Sequence, residues 1–159
     1  MLSRLSWAYD REHQVKTGFI YSIAKFCSWD QNKKTSNSFI VGVYRTKAFD
    51  VDIDALNGRL IHGKPVTVVQ LSSESDVSGC QIVIVGDIGA EATKHLANQC
   101  KNSGTLLVGE SEGFAKDGGA VGLIVRDGLV RFQVNLQTAQ LDRVTLSSKL
   151  LILAEQVYR

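Results

Sequence analysis

Apolar side chains recur along this chain with two different periods, and the changes of period mark its elements. Val15, Phe19, Ile23 and Phe26-Cys27 follow helical spacing, which predicts an amphipathic helix over 12–28. Trp29 follows, and then a polar loop through Asn37. Residues 39–44 are β-favouring and few enough for a buried strand. Residues 49–56 suit a short helix that Asn57-Gly58 would stop. Gly63-Lys64-Pro65 then turns the chain into a second strand, 66–71. After a loop over 72–79, residues 82–85 are continuously aliphatic, the pattern of a strand covered on both faces. A helix is expected over 89–102, with Ala92, Leu96 and Cys100 inward and Gly104 ending it, followed by a fourth strand at 105–108. Two strand–helix–strand units favour parallel pairing with right-handed crossovers.

The last third reads differently. Residues 120–125 and 129–134 are strands joined through Asp127-Gly128, a type I′ hairpin signal. In the second arm Val130, Phe132 and Val134 alternate with Arg131, Gln133 and Asn135, so one face of that arm is expected to be wet. Asn135 is placed to cap a short helix. Ser147 or Ser148 is placed to cap a final helix carrying Leu150, Leu151, Ala154 and Val157. The expected fold class is α/β: a single-domain three-layer sandwich with a mixed, mostly parallel sheet, a C-terminal antiparallel hairpin, and helices on both faces.

Composition narrows the function classes. With 159 residues the chain has the size of one domain, and that size supports a core without disulfides or metals. A net charge of +2 argues for neither nucleic acid as a partner nor strong attraction to anionic surfaces. No apolar run reaches the length of a membrane span, and no direct membrane insertion is expected. Met1 to Trp7 lacks the apolar core of a signal peptide. The cysteines, Cys27, Cys80 and Cys100, show no CxxC spacing. Cys27 lies in the helical apolar stripe, where a thiol acts as a small buried hydrophobe. Cys80 with Cys100 is the pair better placed for an intramolecular disulfide.

Several stretches imitate chemistry and lack a part of it. Gly109-Glu110-Ser111-Glu112-Gly113 matches the GxSxG elbow, but Gly118-Gly119 and a strand follow where a helix is needed. No histidine follows Ser111 to serve as its base; the last one is His95. Gly58 through Lys64 matches most of a phosphate-binding loop, yet Pro65 stands where magnesium needs Ser or Thr, and a strand follows. Asp50, Asp52 and Asp54 open like a calcium loop, but Ala55 and Ile61 occupy the glycine and bidentate-glutamate positions. Gly86-Asp87-Ile88-Gly89 lies between strand and helix without the GxGxxG order. His13, His62 and His95 are scattered without ligand spacing. These readings predict no catalytic residue, no cofactor and no metal.

Other stretches are more specific. The run from Gln14 to Trp29 (QVKTGFIYSIAKFCSW) resembles the opening helix of the YfiR-like family. Leu56 through Gly58, Gly63-Lys64-Pro65 and Val66 resemble that family's entry into its second strand, and Cys80-Gln81-Ile82-Val83-Ile84 its cysteine-led third strand. Gly113-Phe114-Ala115-Lys116-Asp117-Gly118-Gly119, then 130–136 (VRFQVNL), then 146–151 (LSSKLL) are similar to its three C-terminal blocks, in order and at their spacing. The resemblance implies an exported, periplasmic regulator, named for a repressor of a membrane-bound diguanylate cyclase. It implies a role in cyclic-di-GMP signalling, with effects on biofilm and motility. The partner implied is the periplasmic part of a cyclase or sensor kinase, with a homodimer also compatible. On this reading residues 1–9 are a signal-peptide remnant or disordered lead, and 10–159 form the domain. The family's paired cysteines are incomplete here: the first-strand partner of Cys80 falls at Gly42, and no cysteine stands near Gly118-Gly119.

The surfaces expected to meet a partner are the wet arm (Arg131, Gln133) and the loop 110–116, with Glu110, Ser111, Phe114 and Lys116, together with Ser147. A competing expectation is a small-ligand receptor, with its ligand at the carboxyl ends of the parallel strands near 86–89 and 108–114, where open α/β sheets bind ligands. Relatives also occur as sensory domains of kinases or beside outer-membrane receptors.

Overall fold

The first helix reaches further toward the N-terminus than its apolar stripe implies: α1 spans Leu2–Phe26. No glycine or proline precedes Gly18, so nothing in the first turns breaks it. The structure, a computed structural model, describes residues 2–30, 37–46 and 52–159, with side chains from Arg11 onward. Cys27 leaves the helix and opens β1 (Cys27–Trp29). Then come β2 (Phe39–Tyr44), a 3-10 turn at Ile53–Leu56, β3 (Leu60–Ile61) and β4 (Lys64–Leu71). The helix expected over 49–56 is reduced to that one turn, and its first residues fall outside those described. His62 and Gly63, at φ 50° and 78°, make a two-residue hairpin between β3 and β4. Lys64 and Pro65 therefore belong to the strand rather than to the turn.

A 3-10 turn at Glu74–Gly79 occupies the expected loop. It is followed by β5 (Ile82–Val85), α2 (Ala90–Cys100), β6 (Leu106–Gly109), β7 (Val121–Arg126) and β8 (Leu129–Asn135). Asp127 and Gly128 turn the β7–β8 hairpin with φ 52° and 76°, as a type I′ turn requires. Asn135 Oδ1 accepts from Thr138 N and caps α3 (Leu136–Leu141). After β9 (Val144–Leu146), Ser147 Oγ accepts from Leu150 N and caps α4 (Ser148–Leu153).

The last helix stops well before Val157. Glu155 N donates to Phe132 O at 2.9 Å, and β10 (Gln156–Tyr158) pairs parallel to β8. The backbone groups along the outer edge of β8 need partners, and this demand overrides the local helical pattern. In the same way β1 pairs antiparallel with β9, a two-stranded sheet joining segments far apart in sequence.

Among the described residues the main sheet has eight strands in the order β10-β8-β7-β6-β5-β2-β4-β3, parallel from β4 through β7 and antiparallel at both hairpins. All four side chains of β5 are buried. One face packs Val41, Val43, Ile82, Ile84, Val108 and Leu123 beneath α1, α3 and α4. The other packs Val83, Val85 and Leu107 beneath α2 and the 74–79 turn. This is the expected three-layer α/β sandwich.

Parallel strands normally need a crossover helix, but β6 and β7 are joined by the turns of 110–120. Phe114 supplies that connection with a core. Its ring is 2% exposed and lies against the backbones of Gly109 and Gly119, where no Cβ fits. Gly119 N donates to Phe114 O at 2.9 Å and Asn135 Nδ2 to Ala115 O at 2.9 Å. Replacing Phe114 with Ala should cost about 3–5 kcal/mol, and Gly119→Ala about 1–3 kcal/mol by overpacking. Urea denaturation checks both; a Phe114→Ala loss below that of an ordinary surface substitution would refute the wedge.

Candidate interaction surface

Glu110 continues directly from β6 and meets the inner side of α1. Lys16 Nζ donates to Glu110 Oε1 at 2.7 Å and lies 2.8 Å from Glu12 Oε1, with His13 Nε2 3.9 Å from the same Glu110 oxygen. Lys16 and His13 are both buried. Burial by itself would lower the pKa of Lys16, but its hydrogen bonds to Glu110 and Glu12 outweigh burial and raise it. The lysine therefore stays charged and works as an internal brace. Thr17, one residue on, buries its hydroxyl without a partner among the described residues. Lys16 lies in the opening run that resembles the family, but nothing in that run marks it as buried; His13 stands just before the run, and only its place on the inner helical face could have marked it.

A second charged group lies on the hairpin. Arg126 Nε reaches Glu155 Oε1 at 2.7 Å, Arg126 Nη2 reaches Glu112 Oε1 at 3.8 Å, and Gln133 Nε2 donates to Glu155 Oε2 at 3.3 Å. The Glu155 bond raises the pKa of Arg126. For Glu155, partial desolvation pushes upward, but hydrogen bonds from Arg126 and Gln133 bring the net pKa down. Arg131 and Lys116 are exposed. Val125 and Leu129 are exposed near the hairpin tip and, with Arg11, Glu12 and Val15 of α1, line a groove of about 550 Å³.

The expected surface needs three corrections. Phe114 is the wedge beneath the loop, not a contact residue. Gln133 is 7% exposed because the turn carrying Ala115 and the incoming C-terminal strand cover that stretch of β8, so only Arg131 of the pair faces water. Ser147 spends its hydroxyl on the α4 cap. Glu110 and Ser111 remain half-buried at the loop's start.

At the carboxyl ends of β2 and β5, Gly86 packs so closely against Arg45 O that no Cβ fits, and Arg45 adopts φ 51°. That backbone contact occupies part of the crevice where a ligand was expected. Ser111 O accepts from Phe114 N within the turn. Burial pushes the Cys27 thiol up to about 12, which removes it as a nucleophile at neutral pH. Among the described residues no three His, Cys, Asp or Glu side chains converge as a metal site.

The family model described as YfiR/HmsC-like matches residues 13–155. The chain belongs to the YfiR/HmsC-like family. No curated protein matches it. Among solved structures it is similar to the ABC domain in complex with L-Trp from Streptococcus pneumonia, at 12% identity and a TM-score of 0.50. The match covers 76% of this chain and 55% of that one, so this chain spans little more than half of that protein's length. At such identity the likeness concerns the fold alone.

Two features of this YfiR/HmsC-like chain bear on its chemistry. All three cysteines are buried thiols, and the expected Cys80–Cys100 bridge is not formed. Cys80 Sγ instead points toward Asp76 O at 3.9 Å and toward Gly42. A Cβ built on Gly42 would lie 2.8 Å from Cys80 Sγ and 2.7 Å from Leu71 Cδ1. The first distance is close to the roughly 3 Å that disulfide geometry sets between a half-cystine Cβ and its partner sulfur. In a Gly42→Cys variant the introduced thiol should therefore oxidise to a bridge with Cys80 once Leu71 shifts, and the closed loop should add about 3–4 kcal/mol. Non-reducing peptide mapping and thermal melts with and without reductant check this. A mapped Cys80–Cys100 bridge instead would contradict it.

Asp142, at the end of α3, has both carboxylate oxygens buried and unpaired among the described residues. Its backbone is fully used, with Asp142 N donating to Thr138 O and Gly104 N donating to Asp142 O, both at 2.9 Å. Burial pushes its carboxyl up to about 8, against an opposing pull from Lys101. The native state thus holds a proton that the unfolded chain releases near pH 4. Stability falls as pH rises from about 4 to 8 and levels off above that. Asp142→Asn should be neutral near pH 4 and stabilising by about 2–4 kcal/mol at pH 8, as read by denaturation at several pH values. A gain that does not vary with pH would refute this assignment.

Proposed function

We propose that this protein is a periplasmic regulator that binds the periplasmic part of a membrane signalling protein. In the most direct form of this reading it restrains a diguanylate cyclase and lowers cyclic-di-GMP. The observation that carries the proposal is the family match over 13–155, which runs through the wedge, the hairpin and the α4 cap. A surface feature supports it as well. The hairpin offers Arg126 and Arg131 on the face of the exposed Leu129, with Val125 exposed on the opposite face, a mixture of charge and apolar tip suited to a protein partner.

Deleting the gene in its native bacterium should raise cyclic-di-GMP several-fold, and restoring the wild-type protein should reverse the rise. Restoring a Val125→Asp, Arg131→Glu variant of unchanged thermal stability should not. Cyclic-di-GMP readings by mass spectrometry decide the matter; a deletion that leaves them unchanged counts against the cyclase.

A further inference from the structure

The end of α1 and the β3–β4 hairpin are fastened into one face remote from the hairpin just described. His62 Nε2 lies 3.1 Å from Ala24 O and 2.8 Å from Cys27 O, and so occupies carbonyls left open at the helix terminus. Tyr21 Oη donates to Leu60 O at 3.1 Å. The guanidinium of Arg59 sits 3.8 Å from the Tyr21 ring centroid and Lys25 Nζ 5.3 Å from it. Within 18–30 and 57–65 the cations are Lys25, Arg59 and Lys64 and the one acid is Asp30, which lines a cavity together with His62 and Lys64. Lys25 and Arg59 converge on one ring, and Lys64 follows on the neighbouring hairpin, so the net charge of this region is positive. Amid them Leu60 is 60% exposed and Phe26 45% exposed.

We propose that this face adsorbs to an anionic lipid surface. Cations surrounding an exposed aromatic and an exposed aliphatic side chain match the two contributions to interfacial binding, electrostatic attraction and shallow apolar burial. Arg59 is already held on Tyr21, so little side-chain freedom is lost on contact. An acidic protein surface would use the three cations but leave Phe26 and Leu60 without a matching apolar partner. The contact lies at headgroup depth and inserts no helix. It would hold the protein on the membrane that carries its partner, yet it rests on this face alone and not on the cyclase reading.

The test uses the purified full chain and vesicles of phosphatidylglycerol mixed with phosphatidylcholine, against phosphatidylcholine alone, in co-flotation at low and high salt. Binding is expected to the anionic vesicles only and to fade with salt. The triple variant Lys25→Gln, Arg59→Gln, Lys64→Gln should bind about a hundredfold more weakly. Lys25→Gln alone, which leaves the hairpin untouched, should bind about fivefold more weakly. Leu60→Ser should lose several-fold without changing the salt dependence. A control triple, Lys94→Gln, Lys101→Gln, Lys149→Gln, removes the same charge from exposed positions on α2, its C-terminal end and α4, and should bind like wild type. Absence of flotation at low salt overturns the proposal, as does an equal loss in the control triple. Retention on immobilised polyglutamate without vesicle binding also overturns it, in favour of an acidic protein.

Discussion

The ring of Phe114 fills the space beside Gly109 and Gly119 where neither backbone leaves room for a Cβ, and the C-terminal half of the sheet depends on that contact. A parallel step from β6 to β7 without a crossover helix needs some other apolar mass to hold the connection down. The wedge provides it, and the turn it fixes then covers part of β8 through Ala115 and Asn135. The hairpin, and with it Arg126 and Arg131, therefore has one orientation relative to α1. The glycines on both sides are required by volume, since the aromatic ring occupies the place of their side chains.

Polar groups are arranged around this frame in two different ways. Glu12 and Glu110 both bond the buried Lys16, and together these bonds outweigh the cost of its burial, so the lysine keeps its charge. Asp142 has no such partner among the described residues, and desolvation drives its carboxyl toward the neutral form. The contrast follows from reach: two carboxylates converge on Lys16, whereas Lys101 only biases Asp142 from a distance. Lys16 lies within the opening block that resembles the family, whereas Glu12, Glu110 and Asp142 lie outside the quoted blocks.

Much of the local structure was legible beforehand, and the reasons can be named. Asp127-Gly128 forced a type I′ turn because both positions need positive φ. Asn135 and Ser147 capped helices because their short oxygens reach the amides three residues on. The aliphatic run at 82–85 demanded cover on both faces and received it. What was illegible had its cause elsewhere in the chain. Val157 follows a helical pattern but pairs with Val134, because the open edge of β8 offers more hydrogen bonds than another helical turn. Cys27 sits in a helical stripe but faces Leu146 in β1. Gln133 alternates as a wet residue should, and is covered by a turn that no periodicity could place there.

The sequence by itself determined the fold class, the Asp127-Gly128 turn, the caps and the family, since these rest on short-range sterics and on motifs read in order along the chain. Only the tertiary structure decided which polar residues face water. It brought Arg59 and Lys25 onto Tyr21, turned Phe114 inward, and set Gly42 against Cys80. The physical reason is that exposure and close approach are properties of pairs distant in sequence. The packing of α1 and of the 110–120 turns against the sheet settles them, and no local pattern of hydrophobic and polar residues encodes that packing.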